Sequence, residues 1–297
     1  MKINSLIKKV TRVVGGKLVE NLDQDVVLKD QAYSASAFFK NEMTRENQDE
    51  QWIDLAMSAA LKSKPGILID VGANTGQTLI KALEIDKDRG YLGFEPQLDC
   101  CFYIEQFINR NHLDKHLLMP VGLSSQSGVM TLLKRQGDID TTASTIEGFR
   151  PDKFYTTRQA IYVVKGDEVI NDLDIDEISL IKVDVEGGEL EVMEGLASTL
   201  ENHKPFLFFE VLNHYLAATN EPIDQGTIDF RNGRHARLDS LLRDLGYAIY
   251  NILPGDRLKE VSKLEPEVSS DLRITDYMAV YKDFVDDFFN NYRAVDR

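Results

Sequence analysis

Ile67-Leu68-Ile69-Asp70-Val71-Gly72-Ala73-Asn74-Thr75-Gly76 is the stretch from which the chain is read. Apolar residues surround one carboxylate, two glycines flank a short polar turn, and Gln77-Thr78-Leu79-Ile80-Lys81-Ala82-Leu83 resumes with helical spacing. An apolar run bounded by Pro65-Gly66 and a glycine turn suits a strand buried on both faces. A helix opening at Gly76 would aim its free N–H groups at a ligand, and glycine lets the backbone come close to that ligand. Strand, loop and helix together describe a nucleotide pocket at the end of a parallel sheet. The dinucleotide fingerprint G-x-G-x-x-G fails, because Asn74 and Gln77 stand at its second and third glycine positions. No Gly-Lys-Ser/Thr closes a P-loop. An ordinary strand-to-helix turn is the bland alternative.

Two further stretches give the loop a context. Tyr91-Leu92-Gly93-Phe94-Glu95-Pro96 is a short apolar run ending in a carboxylate, about 20 residues on, where a doubly wound fold hydrogen-bonds ribose hydroxyls. Alone, Glu95 before Pro96 would read as a solvated strand end; with Asp70 and its loop, the ligand reading is preferred. In Ile178-Ser179-Leu180-Ile181-Lys182-Val183-Asp184-Val185-Glu186-Gly187-Gly188-Glu189, a period of two puts Lys182, Asp184 and Glu186 on one side of a strand. Unpartnered, each buried charge would cost several kcal/mol, so such a row survives where charges pair or meet a ligand. A structural ion pair of Lys182 with Asp184 or Glu186 competes closely with a functional role. Pro205-Phe206-Leu207-Phe208-Phe209-Glu210-Val211 is a further strand ending in a carboxylate, with Asn213, His214 and Tyr215 behind it. A lone histidine in that position is more often structural than catalytic.

The remaining chain is read more coarsely. His116 to Leu123 reads as one strand and Gly128 to Leu133 as an added hairpin strand. Residues 134–159 and 217–236 read as polar loops, the first carrying Arg150, Lys153, Tyr155 and Arg158. A helix is expected over Asp49 to Leu61, another over Arg237 to Leu245 stopped by Gly246, and strands over Tyr247–Leu253 and Tyr277–Tyr281. Phe284, Val285, Phe288, Phe289 and Tyr292 form a helical stripe at the end. Residues 1–20 place Ile3, Leu6, Ile7, Val10, Val13 and Val14 on one helical face among Lys2, Lys8, Lys9 and Arg12. Such a helix can lie on an anionic membrane as a peripheral contact, or dock on its own domain or on a second subunit of a homo-oligomer.

Composition sets bounds. The chain has 297 residues, is 43% hydrophobic and carries a formal charge of −15, with no basic cluster to track phosphates, so nucleic acid is not an expected partner. Its two cysteines are adjacent, Cys100 and Cys101, which points to a reducing, cytoplasmic setting rather than a disulfide framework. No apolar run approaches the ~20 residues that span a bilayer.

The loop Asp70-x-Gly72-x-Asn74-x-Gly76 resembles the D/E-x-G-x-G-x-G loop of S-adenosylmethionine-dependent methyltransferases, with Asn74 where glycine is commoner. Together with Gly93-Phe94-Glu95-Pro96, Ile181-Lys182-Val183-Asp184-Val185-Glu186-Gly187 and Glu210, it is similar to the FkbM family of methyltransferases over roughly residues 66 to 212. Gly188 departs from a histidine that many members carry, and Lys165–Ile170 matches only loosely. The resemblance implies an α/β, Rossmann-like seven-stranded methyltransferase sheet, mostly parallel with a closing antiparallel hairpin and flanked by helices. To this is added a helical lead-in over 1–64, which leaves 65–297 as the cofactor-binding domain. It implies S-adenosylmethionine as cofactor and O-methylation of a hydroxyl on a sugar, glycan or natural-product acceptor. Asp70, Gly72, Ala73, Asn74, Thr75 and Gly76 are expected to hold the methionine half, with Glu95 and Pro96 at the ribose. Asp184 is the first choice to accept the hydroxyl proton or orient the acceptor, Lys182 and Glu186 set its charge, and Glu210 and His214 stand in reserve. Carboxylates at Asp184 and Glu210 suit magnesium, but no metal is assigned. A non-catalytic binding protein retaining the fold is the rival reading; a nicotinamide oxidoreductase is disfavoured by Asn74 and Gln77.

Overall fold

The computed structural model describes residues 10–14, 17–21, 23–28, 31–36, 53–135, 139–151, 154–216 and 221–295. Its centre is a sheet whose parallel strands are β5 (Ile67–Val71), β6 (Tyr91–Phe94), β7 (His116–Met119), β11 (Ile178–Val183) and β12 (Phe206–Glu210). Beyond β12, β17 (Asp276–Tyr281) runs antiparallel, followed by β15 (Tyr247–Leu253) and an edge strand β16 (Arg257–Glu260). The order β16-β15-β17-β12-β11-β5-β6-β7 is the expected seven-stranded arrangement plus one edge strand. Chain order reverses between β5 and β11, so the crevice for a ligand opens at their carboxyl ends.

Burial on both faces explains why β5, β11 and β12 are almost continuously apolar. One face carries Leu68, Leu180, Phe206, Phe208 and Met278 against α1 (Asp54–Ser63), α2 (Gln77–Ile85), α3 (Leu98–Arg110) and, at the chain end, α8 (Val285–Val295). The other carries Ile69, Ile181, Val183, Leu207 and Phe209 against α4 (Gly166–Asp172), α5 (Glu189–Gly195), α6 (Ala197–His203) and α7 (Gln225–Asp244). Phe288 is fully buried in the first face, as its stripe requires. Asp167 caps α6, accepting from Thr199 N at 2.9 Å and Thr199 Oγ1 at 2.8 Å.

Three expectations are corrected. The helical lead-in over 1–64 gives way to hairpins: β1 (Val10–Val14) pairs antiparallel with β2 (Lys17–Asn21), and β3 (Asp23–Leu28) with β4 (Gln31–Ser36). Only Asp54–Ser63 is helical among the described residues of that segment. The register sets Val14 opposite Lys17, and the sequence between them is Gly15-Gly16, the composition that two-residue hairpin links favour over a helix. Residues 1–9 and Trp52 lie outside the described residues, so the membrane-facing helix has no counterpart in what is described.

Second, the run from His116 to Leu123 is two strands in two sheets. Pro120 has no N–H to continue the ladder, Val121 N bonds back to Met119 O at 2.8 Å, and β8 (Gly122–Ser124) leaves the main sheet. It pairs parallel with β10 (Thr157–Lys165), which pairs antiparallel with β9 (Gly128–Lys134). The end of the expected 134–159 loop is thus strand, with Ile161 and Val163 buried and Tyr162 exposed between them. Third, the expected polar insertion at 217–236 is largely the front half of α7, whose N-cap Asp224 accepts from Thr227 N at 3.0 Å. Lys153 lies outside the described residues. A small hairpin, β13 (Tyr215–Leu216) with β14 (Glu221–Pro222), precedes the helix.

Candidate active site

At the carboxyl ends of β5 and β11 the two strands are joined by their backbones: Asp184 N donates to Val71 O at 2.9 Å. Gly72 follows with φ +85°, a conformation that L side chains rarely adopt, and a β-carbon there would overlap the carbonyl of Asp184. Its requirement for glycine comes from this strand junction as well as from its place on the cavity wall. Asn74 is also left-handed, with φ 46°, and Gly76 with φ 94° caps α2. Asparagine tolerates that region better than other side chains, which accounts for Asn74 in place of glycine.

The loop opens on a cavity of about 330 Å³. At one end Glu95 is 4% exposed, and both its oxygens are engaged: Oε2 accepts from Asn74 N at 2.9 Å and Oε1 from Gln97 N at 2.8 Å. Burial outweighs these bonds and lifts its pKa to about 7. Phe94, Pro96, Leu132, Ile161 and Val163 supply an apolar wall beside it. Gln97 ties the 139–151 loop to this end, donating from Nε2 to Asp140 O at 3.0 Å and accepting from Asp140 N at 3.2 Å.

The other end is carboxylate-rich. Lys182 Nζ meets Asp184 Oδ2 at 3.0 Å. Glu186, left-handed with φ 56°, pairs with Arg150, whose Nη1 also donates to Thr142 O and Tyr155 OH, each at 3.1 Å. Glu210 receives Thr275 Oγ1 at 3.0 Å. Burial, with Glu186 and Asp184 adding to it, raises the pKa of Glu210 well above the carboxylate range. One oxygen from each of Asp184, Glu186 and Glu210 lies within 4.8 Å of the others, a spacing a divalent cation would accept.

Behind this end stand groups that give it shape. Glu189, 7% exposed, accepts from Val185 N at 3.2 Å and Gly187 N at 3.1 Å, folding the turn that carries Glu186. Arg234 of α7 donates to Gly187 O at 2.8 Å and to Glu191 Oε1 at 2.7 Å. Arg231, 1% exposed, donates to Phe149 O at 2.8 Å and Asn213 O at 2.9 Å, bracing the 139–151 loop.

Of the residues expected at the site, Gly72, Asn74, Glu95, Pro96, Lys182, Asp184, Glu186 and Glu210 all line this cavity. Asp70 does not: it is wholly buried beneath the loop and accepts from Tyr91 OH at 2.7 Å, so burial, only partly offset by Lys182, raises its pKa. Ala73 and Thr75 are buried under the same loop, and with Gly76 they shape it from outside the cavity lining. His214 is also outside the lining, its Nε2 3.0 Å from Asn232 Oδ1 on α7 and its ring stacked towards His235. Gln97 and Asp140, which join the loop to the Glu95 end, do not stand out in the sequence, whereas Arg150 is one of the loop residues expected to reach a substrate or form a salt bridge, and it pairs with Glu186. Their partners are distant in the chain and follow no spacing.

The residues present fit a cofactor with a ribose, an aromatic base and a positive centre. A buried carboxylate beside apolar walls suits an adenosine, and among the described residues the cavity is bordered by six carboxylates (Glu95, Asp140, Asp184, Glu186, Glu191, Glu210) against the single basic residue Lys182.

The family model described as the methyltransferase FkbM domain matches residues 70–249. A curated hexuronic acid methyltransferase, AglP of Haloferax volcanii, is 29% identical over 139 residues, covering 46% of this chain and 52% of that protein. The chain thus spans about half the length of the curated relative it matches. Among solved structures, an FkbM methyltransferase of Methylobacillus flagellatus aligns with a TM-score of 0.43 at 17% identity, covering 72% of this chain and 43% of that one. An S-adenosylmethionine-dependent O-methyltransferase of Thermotoga maritima aligns with a TM-score of 0.34 at 11% identity, covering 92% and 84%.

Proposed function

The chain belongs to the FkbM methyltransferase family, and from that premise we propose that it O-methylates a hydroxyl of a sugar or glycan acceptor, using S-adenosylmethionine. The observation that carries this reading is the two-ended cavity at the β5/β11 switch point, with a nucleoside-type end at Glu95 and a carboxylate end at Asp184 and Glu210. The sugar class is supported by the relative whose name specifies a hexuronic acid.

When bound, the cofactor supplies an electrophilic methyl group on a sulfonium. Glu95 and the Asn74 and Gln97 amides it organises would hold the ribose, while Phe94, Leu132, Ile161 and Val163 would enclose the base. Gly72 and Asn74 would face the methionine portion, with Asp70 supporting the loop from below. Alignment of two reactants by such a wall can lower a barrier by about 7–11 kcal/mol. Asp184, fixed by Lys182, orients the acceptor hydroxyl. Glu210, whose burial and like-charged neighbours raise its proton affinity, is the group suited to take the hydroxyl proton.

Calorimetric titration with S-adenosylhomocysteine tests the cofactor half. Incubation with methyl-labelled S-adenosylmethionine and a panel of glycosides tests the transfer. Absence of nucleoside binding, or binding without label in any hydroxyl product, would remove the reading.

A further inference from the structure

Lys182, Asp184 and Glu210 form a wall shared by two hollows. On one side lies the main cavity; on the other is a shallow groove bordered by Ile53, Phe208, Ile252, Asp276 and Tyr277. The apolar and aromatic side chains of that groove are themselves buried, so the shared end is open to a ligand from the main cavity, where Asp184 and Glu210 present their carboxylates.

The charges at this end are unequally neutralised. Asp184 has Lys182, Glu186 has Arg150 and Glu191 has Arg234. Glu210 has no cationic partner among the described residues; the hydroxyl of Thr275 is the donor it receives, at 3.0 Å. Asp184, Glu186, Asp276 and Glu189 all act on it with like charge. A half-buried acceptor with one neutral protein donor is matched by a ligand that brings hydrogen-bond donors. A ligand that brings another anion meets like charge with no free cation to receive it.

We propose that the acceptor subsite of this enzyme takes an uncharged polyol, a neutral pyranoside, whose hydroxyls donate to Glu210 and Asp184, and that it discriminates against sugars bearing a carboxylate. This rests on the methyltransferase reading and narrows its substrate class, keeping the sugar but departing from the uronic acid that the relative's name specifies. Sites built to bond a hydroxyl reject ligands that cannot satisfy their polar groups, so selectivity arises from Glu210 and its like-charged neighbours rather than from shape alone.

The test is ligand-observed NMR titration of the full chain, with and without S-adenosylhomocysteine. It sets methyl glycosides of glucose, galactose and mannose against the matching methyl uronosides. Expected is a neutral glycoside binding at least about tenfold more tightly than its uronoside at pH 7.5. In Glu210→Gln the neutral glycoside should weaken and the uronoside penalty should shrink; Asp276→Asn gives the same charge test should that variant misfold. Equal or tighter binding of the uronosides, or no glycoside binding in either set, overturns the proposal. Loss of S-adenosylhomocysteine binding with the sugar preference intact would instead count against the cofactor assignment.

Discussion

Gly72 and Asp184 meet back to back: the turn after β5 passes so close to the end of β11 that residue 72 has no room for a side chain against the Asp184 carbonyl. The contact locks the cofactor loop to the strand that presents the acceptor carboxylates, so the two halves of the site share one backbone junction.

Gly72→Ala is therefore expected to cost about 2 kcal/mol or more, from a positive φ and a backbone overlap that only main-chain movement can relieve. Urea denaturation reads the stability loss. S-adenosylhomocysteine affinity should fall with it, and an unchanged midpoint would contradict the junction's role.

Glu95 and Glu189 make stability depend on pH in a specific direction. Burial lifts each from an ordinary 4.5 to about 7, so the folded state holds protons that the unfolded chain releases. Their contribution is complete below pH 4.5 and is lost as pH rises through 7, roughly 3 kcal/mol for each group. Glu189→Gln should flatten the fall in urea-denaturation stability between pH 5 and 7.5; a slope identical to wild type would refute the assignment.

Asp70→Asn separates support from contact. Because Asp70 is wholly buried on Tyr91 and does not border the cavity, the substitution should lower the melting temperature while S-adenosylhomocysteine affinity stays within about tenfold. Glu95→Ala should reverse that pattern, with affinity falling by more than tenfold as the Asn74 and Gln97 amides lose their acceptor.

For Glu210→Gln, kcat is expected to drop by roughly 10²–10⁴-fold with cofactor binding intact, the range of a lost general base. In wild type the rate should climb with pH through a value above the usual carboxylate range, since only the ionised carboxylate accepts a proton. Persistence of that rising limb in the variant would transfer the role to another group.

Arg150→Ala removes the partner of Glu186 and the ties to Thr142 and Tyr155 together. A buried carboxylate left alone costs about 3–5 kcal/mol. Limited proteolysis should then cut within 139–151 faster than in wild type, and KM for the acceptor should rise more than KM for the cofactor.

What the chain determined by itself was the parallel core and, on the cavity wall, the glycine loop and the strand-end carboxylates. Ile67–Val71, Ile178–Val183 and Phe206–Glu210 are apolar on both faces, so they could only be central strands, and their carboxyl-terminal acids had to gather at one edge. Spacing along the chain alone sets Asp70, Gly72, Asn74 and Glu95 at the switch point. Tertiary structure alone decided the rest. The buried stripe of α7 runs Arg231, His235, Leu238, Asp239, Leu242, and its spacing is helical, but three of its five members are polar, so apolar periodicity hides it. Arg231 is acceptable there because carbonyls of Phe149 and Asn213 receive it, and both arrive from remote segments. Likewise Asp70 reads as a ligand until Tyr91 is seen covering it, and His214 reads as a spare base until Asn232 holds it outside the cavity. Local pattern reports which faces are apolar; only the packed chain assigns a partner to each polar group, and that assignment separates a residue that meets substrate from one that supports it.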